Sequence, residues 1–151
     1  MTLRGWATFA WQADYGQFYL IDCEHPAFEP PMEFTAEMET RSLFMPPTGI
    51  VIYTSDCLQQ HVRIAVHDTE PDHSPAEIMS GKPWTRIEAA ELHFPSQKFT
   101  ISSPSMPGPL PGGPLFLLDA PAARARISWM EFQGSRDDSV PVEPDVIEIA
   151  L

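Results

Sequence analysis

The segment His61-Val62-Arg63-Ile64-Ala65-Val66-His67 decides the fold class. Val62, Ile64 and Val66 point one way, and His61, Arg63, Ala65 and His67 the other. A period of two describes a half-buried strand; a helix would return apolar residues every three or four positions. Working outward, short runs of the same kind recur. Upstream lie Trp6 to Trp11, Gly16 to Asp22, and the β-branched, aromatic Gly49-Ile50-Val51-Ile52-Tyr53-Thr54. Downstream lie Thr85 to Leu92, Lys98 to Ser102, Leu115 to Leu118, Arg124 to Phe132 and Val146 to Ile149. Pro, Gly, Asp and Ser separate them. Eight or nine short strands of this kind predict an all-β fold, an antiparallel β-sandwich. An α/β fold would need helical runs of roughly 10–15 residues between strands.

Between the strands the sequence offers one helix, Glu33 to Ser42, following Pro30-Pro31 and continuing as far as Phe44. Ser102 to Pro114 holds five prolines and three glycines. It reads as an ordered loop or a crossover, because proline breaks a strand ladder. Residues 133–151 read as a loop or tail ending in an edge strand. The 151 residues predict a single domain, and the 43% apolar content is enough for a core. No run reaches the ~18 apolar residues of a membrane span, and no signal peptide is recognisable, so the expected compartment is the cytoplasm.

Motifs for chemistry are scarce. Gly-x-Ser-x-Gly, Gly-x-x-x-x-Gly-Lys and Gly-x-Gly-x-x-Gly are all missing. Cys23 and His25 would share a strand face, but Asp22 and Glu24 beside them oppose a thiolate. The two cysteines, Cys23 and Cys57, do not make a disulfide scaffold and read as reduced thiols. His67-Asp68-Thr69-Glu70-Pro71-Asp72-His73 offers oxygen ligands for calcium or imidazoles for zinc, yet lacks the Gly and closing Glu of a helix–loop–helix calcium site. An ordinary solvated turn explains it as well. The expectation is therefore no catalysis and no cofactor. The alternative is a small-ligand or metal-binding β-sandwich, calcium-binding at the 67–73 loop. Of the four tryptophans, Trp129 reads as core and Trp84 as a partly exposed residue at a strand entry.

Charge placement says most about partners. Twenty-one Asp and Glu face nine Lys and Arg, for a net charge of −12. Direct binding to nucleic acid or to an anionic membrane needs the opposite sign. Between Asp22 and Glu39 there are six acids and no Lys or Arg, interleaved with Phe28, Met32, Phe34 and Met38. Asp68, Glu70, Asp72 and Glu77 form a second acidic stretch, and Asp137, Asp138, Glu143 and Asp145 a third. Acids set among aromatics suit a positively charged protein cleft: complementary charge speeds association, and buried aromatics prolong the complex. The partner-binding candidates are Glu29, Glu33, Phe34, Glu37 and Glu39, with Asp68, Glu70 and Asp72. The expected partner is a basic protein, a nuclease or toxin. A solvated face that keeps the chain soluble is the plainer reading of the same acids.

The order of these pieces resembles the competence protein J family, acidic inhibitors of a bacterial DNA-entry nuclease. The likeness rests on Tyr15-Gly16-Gln17-Phe18-Tyr19-Leu20, Pro31-Met32-Glu33-Phe34-Thr35, Gly49 to Thr54 and Val62 to Val66. It continues through Glu91 to Thr100 and Leu115 to Trp129, so that it spans about residues 6 to 132. The Pro-rich 103–114 segment and the stretch after Gln133 depart from the pattern. The resemblance implies a β-sandwich inhibitor that occludes a nuclease and performs no chemistry of its own.

Overall fold

The alternating and β-branched runs form strands. The computed structural model describes residues 3–12, 16–25, 33–54, 59–67, 84–104, 114–131 and 146–151. The elements are β1 (Leu3–Gln12), β2 (Gln17–Asp22), α1 (Ala36–Arg41), β3 (Leu43–Phe44), β4 (Ile50–Tyr53) and β5 (Gln59–His67). They continue with β6 (Arg86–His93), β7 (Lys98–Ser102), β8 (Phe116–Leu117), β9 (Ala122–Met130) and β10 (Val146–Ala150). The fold is all-β, with two five-stranded sheets ordered β1-β5-β10-β9-β6 and β3-β4-β2-β7-β8. The chain divides into two compact units: residues 1–12, 58–90 and 125–151, and residues 13–57 and 91–124.

Three expectations need correction. The nine predicted runs each contain a strand, but a tenth, β3, lies where the helix was extended to Phe44. Ser42 adopts the left-handed conformation (φ 55°), which ends α1, and its carbonyl then accepts the Tyr53 N–H at 2.9 Å. The first sheet is mixed, because β10 runs parallel to β5 and antiparallel to β9. Finally, β10 is not an edge strand. It occupies the centre of its sheet, and all five of its residues are buried. Most of the Pro-rich segment (105–113) and the stretch 132–145 lie outside the described residues.

In the first unit, register builds rows across the sheet. Phe9, Val62, Ile147 and Trp129 are successive partners, as are Ala7, Ile64, Ile149 and Ile127. Val62, Ile64, Ile127, Trp129, Ile147 and Ile149 are almost wholly buried. Each such side chain contributes roughly 1.5–3 kcal/mol of transfer free energy. The opposite face carries the row Thr8, Arg63, Glu148 and Ser128. Glu148 is buried there and bracketed by two cations. Arg63 Nη1 donates to Oε2 at 2.8 Å, and Arg126 Nη2 lies 3.5 Å from Oε1. The Arg63 guanidinium also sits over the exposed Trp6 ring, 5.4 Å from its centroid.

The second unit has its own core. Leu20 is partnered by Ile50 and Ile101, and Phe18 by Ile52. Phe94, Phe99 and Phe116 stack in near-parallel pairs at 4.6 and 5.0 Å. Gly49 enters β4 with φ +78°, and its N–H donates to the His93 carbonyl at 3.0 Å. A Cβ at this position would lie 2.4 Å from the Leu20 carbonyl oxygen, so only glycine fits.

Two stability predictions follow from these contacts. Glu148→Ala removes the carboxylate that the two guanidinium groups share and should cost about 1.5–3 kcal/mol in urea unfolding, whereas joint apolar replacement of Arg63, Glu148 and Arg126 should recover most of that loss. Gly49→Ala should cost about 2–3 kcal/mol in the same measurement through backbone strain and the clash with Leu20.

Candidate functional site

The candidate docking block runs from Glu33 to Glu39 and is held by helix α1. Thr35 is the N-cap, in extended backbone (φ −81°, ψ 162°). Its Oγ1 accepts the Met38 N–H at 3.2 Å, and its own N–H donates to Met38 Sδ at 3.4 Å. The pair forms a reciprocal cap in which a thioether replaces the usual Glu or Gln. Glu37 and Glu39 stand in the first turn and Arg41 in the last, both favourable to the helix dipole. The Thr40 hydroxyl donates to the Ala36 carbonyl at 2.8 Å.

Met38 is the one buried residue of the helix. Successive helical residues are rotated by about 100°, so Glu37 and Glu39 project on either flank of Met38. Both are exposed. Glu33 and Phe34 precede the cap and are exposed as well, Phe34 by 58%. The Phe34 ring meets Tyr53 edge-on, with centroids 5.0 Å apart and planes at 80°. Tyr53 ends β4 and is half-buried. Burial, then the neighbouring Tyr19, pushes its phenol pKa up, and burial does the same to Tyr19. Both phenols therefore remain neutral at physiological pH. The result is a short segment that exposes three carboxylates and an aromatic ring, the ring packed on Tyr53 and still 58% exposed.

Of the candidates from the sequence, Glu33, Phe34, Glu37 and Glu39 are described, and all four are exposed in this segment. Glu29, Asp68, Glu70 and Asp72 lie outside the described residues, as does most of the 67–73 loop. His67, the described member of that loop, has its N–H on the Leu151 carbonyl at 2.7 Å and Nδ1 3.1 Å from the same oxygen. Among the described residues, no group of three or more His, Cys, Asp or Glu converges as a metal site. Burial, followed by the Asp22 charge, raises the Cys23 thiol pKa, so the thiolate needed for nucleophilic chemistry is disfavoured.

Asp22 departs from the other acids of its stretch. It is buried and holds a turn together. Oδ1 accepts the N–H groups of Glu24 (2.8 Å) and His25 (2.9 Å) and the Ser96 hydroxyl (2.8 Å), while Oδ2 accepts the Ser96 N–H (2.8 Å). Burial alone would raise its pKa, but the four hydrogen bonds favour the charged form and leave it below the usual Asp value. Glu24 is exposed, 3.6 Å from Lys98 Nζ. Sequence reasoning missed the supporting part of Tyr53, read only as a strand residue, and the burial of Met38. Trp129 is core, as expected, and Trp84 is half-buried against Met130 and Val146.

Comparison with known proteins places the fold. No protein-family model matches the chain, and no curated protein matches it. Among solved structures it is similar to ComJ of Bacillus subtilis, the inhibitor of the DNA-degrading activity of NucA. That match has a TM-score of 0.60 and 12% identity, over 99% of this chain and 98% of that one. A protein described as crocagin biosynthetic gene J covers the same shares at 12% identity with a TM-score of 0.49, too low to carry an argument. The resemblance drawn from the sequence thus holds at the level of the fold, and at this identity it transfers no interface residue.

The depressed Asp22 pKa sets a direction for acid stability. A carboxylate with a lower pKa folded than unfolded contributes stability above the unfolded value of about 3.9 and loses it as pH falls through the folded value. Asp22→Asn should therefore cost about 1–3 kcal/mol near neutrality, since its amide opposes a donor. In urea unfolding at a series of pH values, the gap between wild type and variant should narrow below about pH 4.

Proposed function

We propose that this chain is a non-catalytic acidic binding protein of the bacterial cytoplasm that inhibits a basic nuclease or toxin by covering its positively charged cleft. The observation that carries the reading is the exposed block Glu33-Phe34…Glu37…Glu39, capped into one short segment and backed by Tyr53. In this reading its carboxylates stand where nucleic-acid phosphates would lie in the partner's cleft. Phe34 enters an apolar recess between the cations and loses its remaining exposure. The acids govern encounter, and Phe34 governs residence time. Glu29, Asp68, Glu70 and Asp72 remain further candidate contacts in the proposal.

The ComJ-like fold supports this reading, because ComJ inhibits a DNA-degrading enzyme. The charge balance supports it as well: at −12, the chain favours a basic partner and repels nucleic acid. The chain would therefore compete with DNA for the enzyme.

Capture from host extract at low salt should recover a basic protein whose DNA degradation falls in proportion to added chain. Replacing Glu33, Glu37 and Glu39 jointly with Gln should slow association about tenfold at low salt and have less effect at physiological salt, where screening acts over about 8 Å. Phe34→Ala should leave association intact and speed dissociation, worth about 2 kcal/mol. Surface plasmon resonance separates the two rates. A complex indifferent to salt and to all four substitutions would overturn the reading.

A further inference from the structure

The reciprocal cap of α1 contains an unusual partner. A capping box normally places Glu or Gln at the third helical position, where a strong oxygen acceptor reaches back to the N-cap amide. Here the position is Met38, whose sulfur, a weak acceptor, takes the Thr35 N–H at 3.4 Å. Met38 is also the buried residue of the helix, at 6% exposure. A Glu at this position would bury a charge, or else pull the helix outward to solvate it. The thioether satisfies both demands: it is apolar enough to seat in the core and polarisable enough to accept the amide.

Thr35 directly follows Phe34, so the orientation of the Thr35 amide sets where the chain bearing Phe34 leaves the helix. We infer that Met38 is the positioning residue of the docking block: one side chain anchors α1 in the core and fixes the N-cap, thereby holding Phe34 on Tyr53. The purpose of this arrangement rests on the docking role proposed above. Its test does not, because it uses the free full-length chain and no partner. A chain that captured no basic protein would refute the docking role and leave the positioning result standing.

The test compares Met38→Leu and Met38→Gln with wild type. Leu keeps the apolar volume and removes the sulfur. Gln restores an oxygen acceptor but buries an amide. The readouts are thermal unfolding, exchange of the Thr35 amide by NMR, and the nuclear Overhauser contact between the Phe34 and Tyr53 rings. Met38→Leu should keep the melting temperature within a few degrees, raise Thr35 exchange about tenfold and weaken the ring contact. Met38→Gln should lower the melting temperature, yet return Thr35 exchange to within about threefold of wild type and keep the ring contact. That crossing of stability and amide protection is what a purely structural role would not produce. Exchange that simply follows melting temperature in both variants would overturn the inference. So would an unchanged Thr35 amide and ring contact in Met38→Leu.

Discussion

The contact of Glu148 with Arg63 and Arg126 constrains the register of the first sheet. A carboxylate on a central strand loses its water on folding, and a close cation compensates that loss. Arg63 on β5 and Arg126 on β9 supply that charge from the two neighbours of β10. The requirement acts on register. Sliding β10 by two residues along β5 would keep Ile147 and Ile149 on the apolar face but move Glu148 from opposite Arg63. Hydrophobic rows choose the face; the ion pairs choose the position along it. Arg63 in turn lies against Trp6, so that four strands share one chain of contacts.

The second unit presents the candidate site through backbone geometry more than through charge. Gly49 lets the chain pass within van der Waals contact of Leu20 and start β4 in register with β2. β4 ends at Tyr53, whose N–H is held by the Ser42 carbonyl just past the helix. The strand and the end of the helix are thereby tied together, and the Tyr53 ring is available to support Phe34. Met38 closes the same arrangement from within the helix. An exposed aromatic held in this way would lose little side-chain freedom on docking to the proposed partner, which would favour a long-lived complex.

Acids of one sequence stretch serve different ends here. Asp22 spends its charge inside the protein on four donors, and Glu24 lies near Lys98. Glu33, Glu37 and Glu39 face water. Counting acids along the chain cannot separate these cases, because separation depends on the distant Ser96 folding back onto Asp22. The fold likeness to ComJ at 12% identity fits the same logic. A β pattern of alternating apolar residues tolerates wide change in identity, whereas an interface depends on particular side chains.

The sequence by itself determined the all-β class, the places of nine of the ten described strands and the presence of a short helix within Glu33 to Ser42, though the helix itself spans only Ala36–Arg41. Each is written in local periodicity, in β-branched runs or in the prolines that precede the helix, and local signals need no partner. Tertiary structure alone decided the parallel seat of β10 at the centre of its sheet, the pairing of Glu148 with arginines 85 and 22 residues away in sequence, and the internal use of Asp22. It also decided that the chain turns into β3 after Arg41, and that Phe34 rests on Tyr53. All of these depend on which segments meet across long stretches of chain. Strand pairing is set by the sum of buried rows and compensated charges over a whole sheet, and no single run of residues contains that sum.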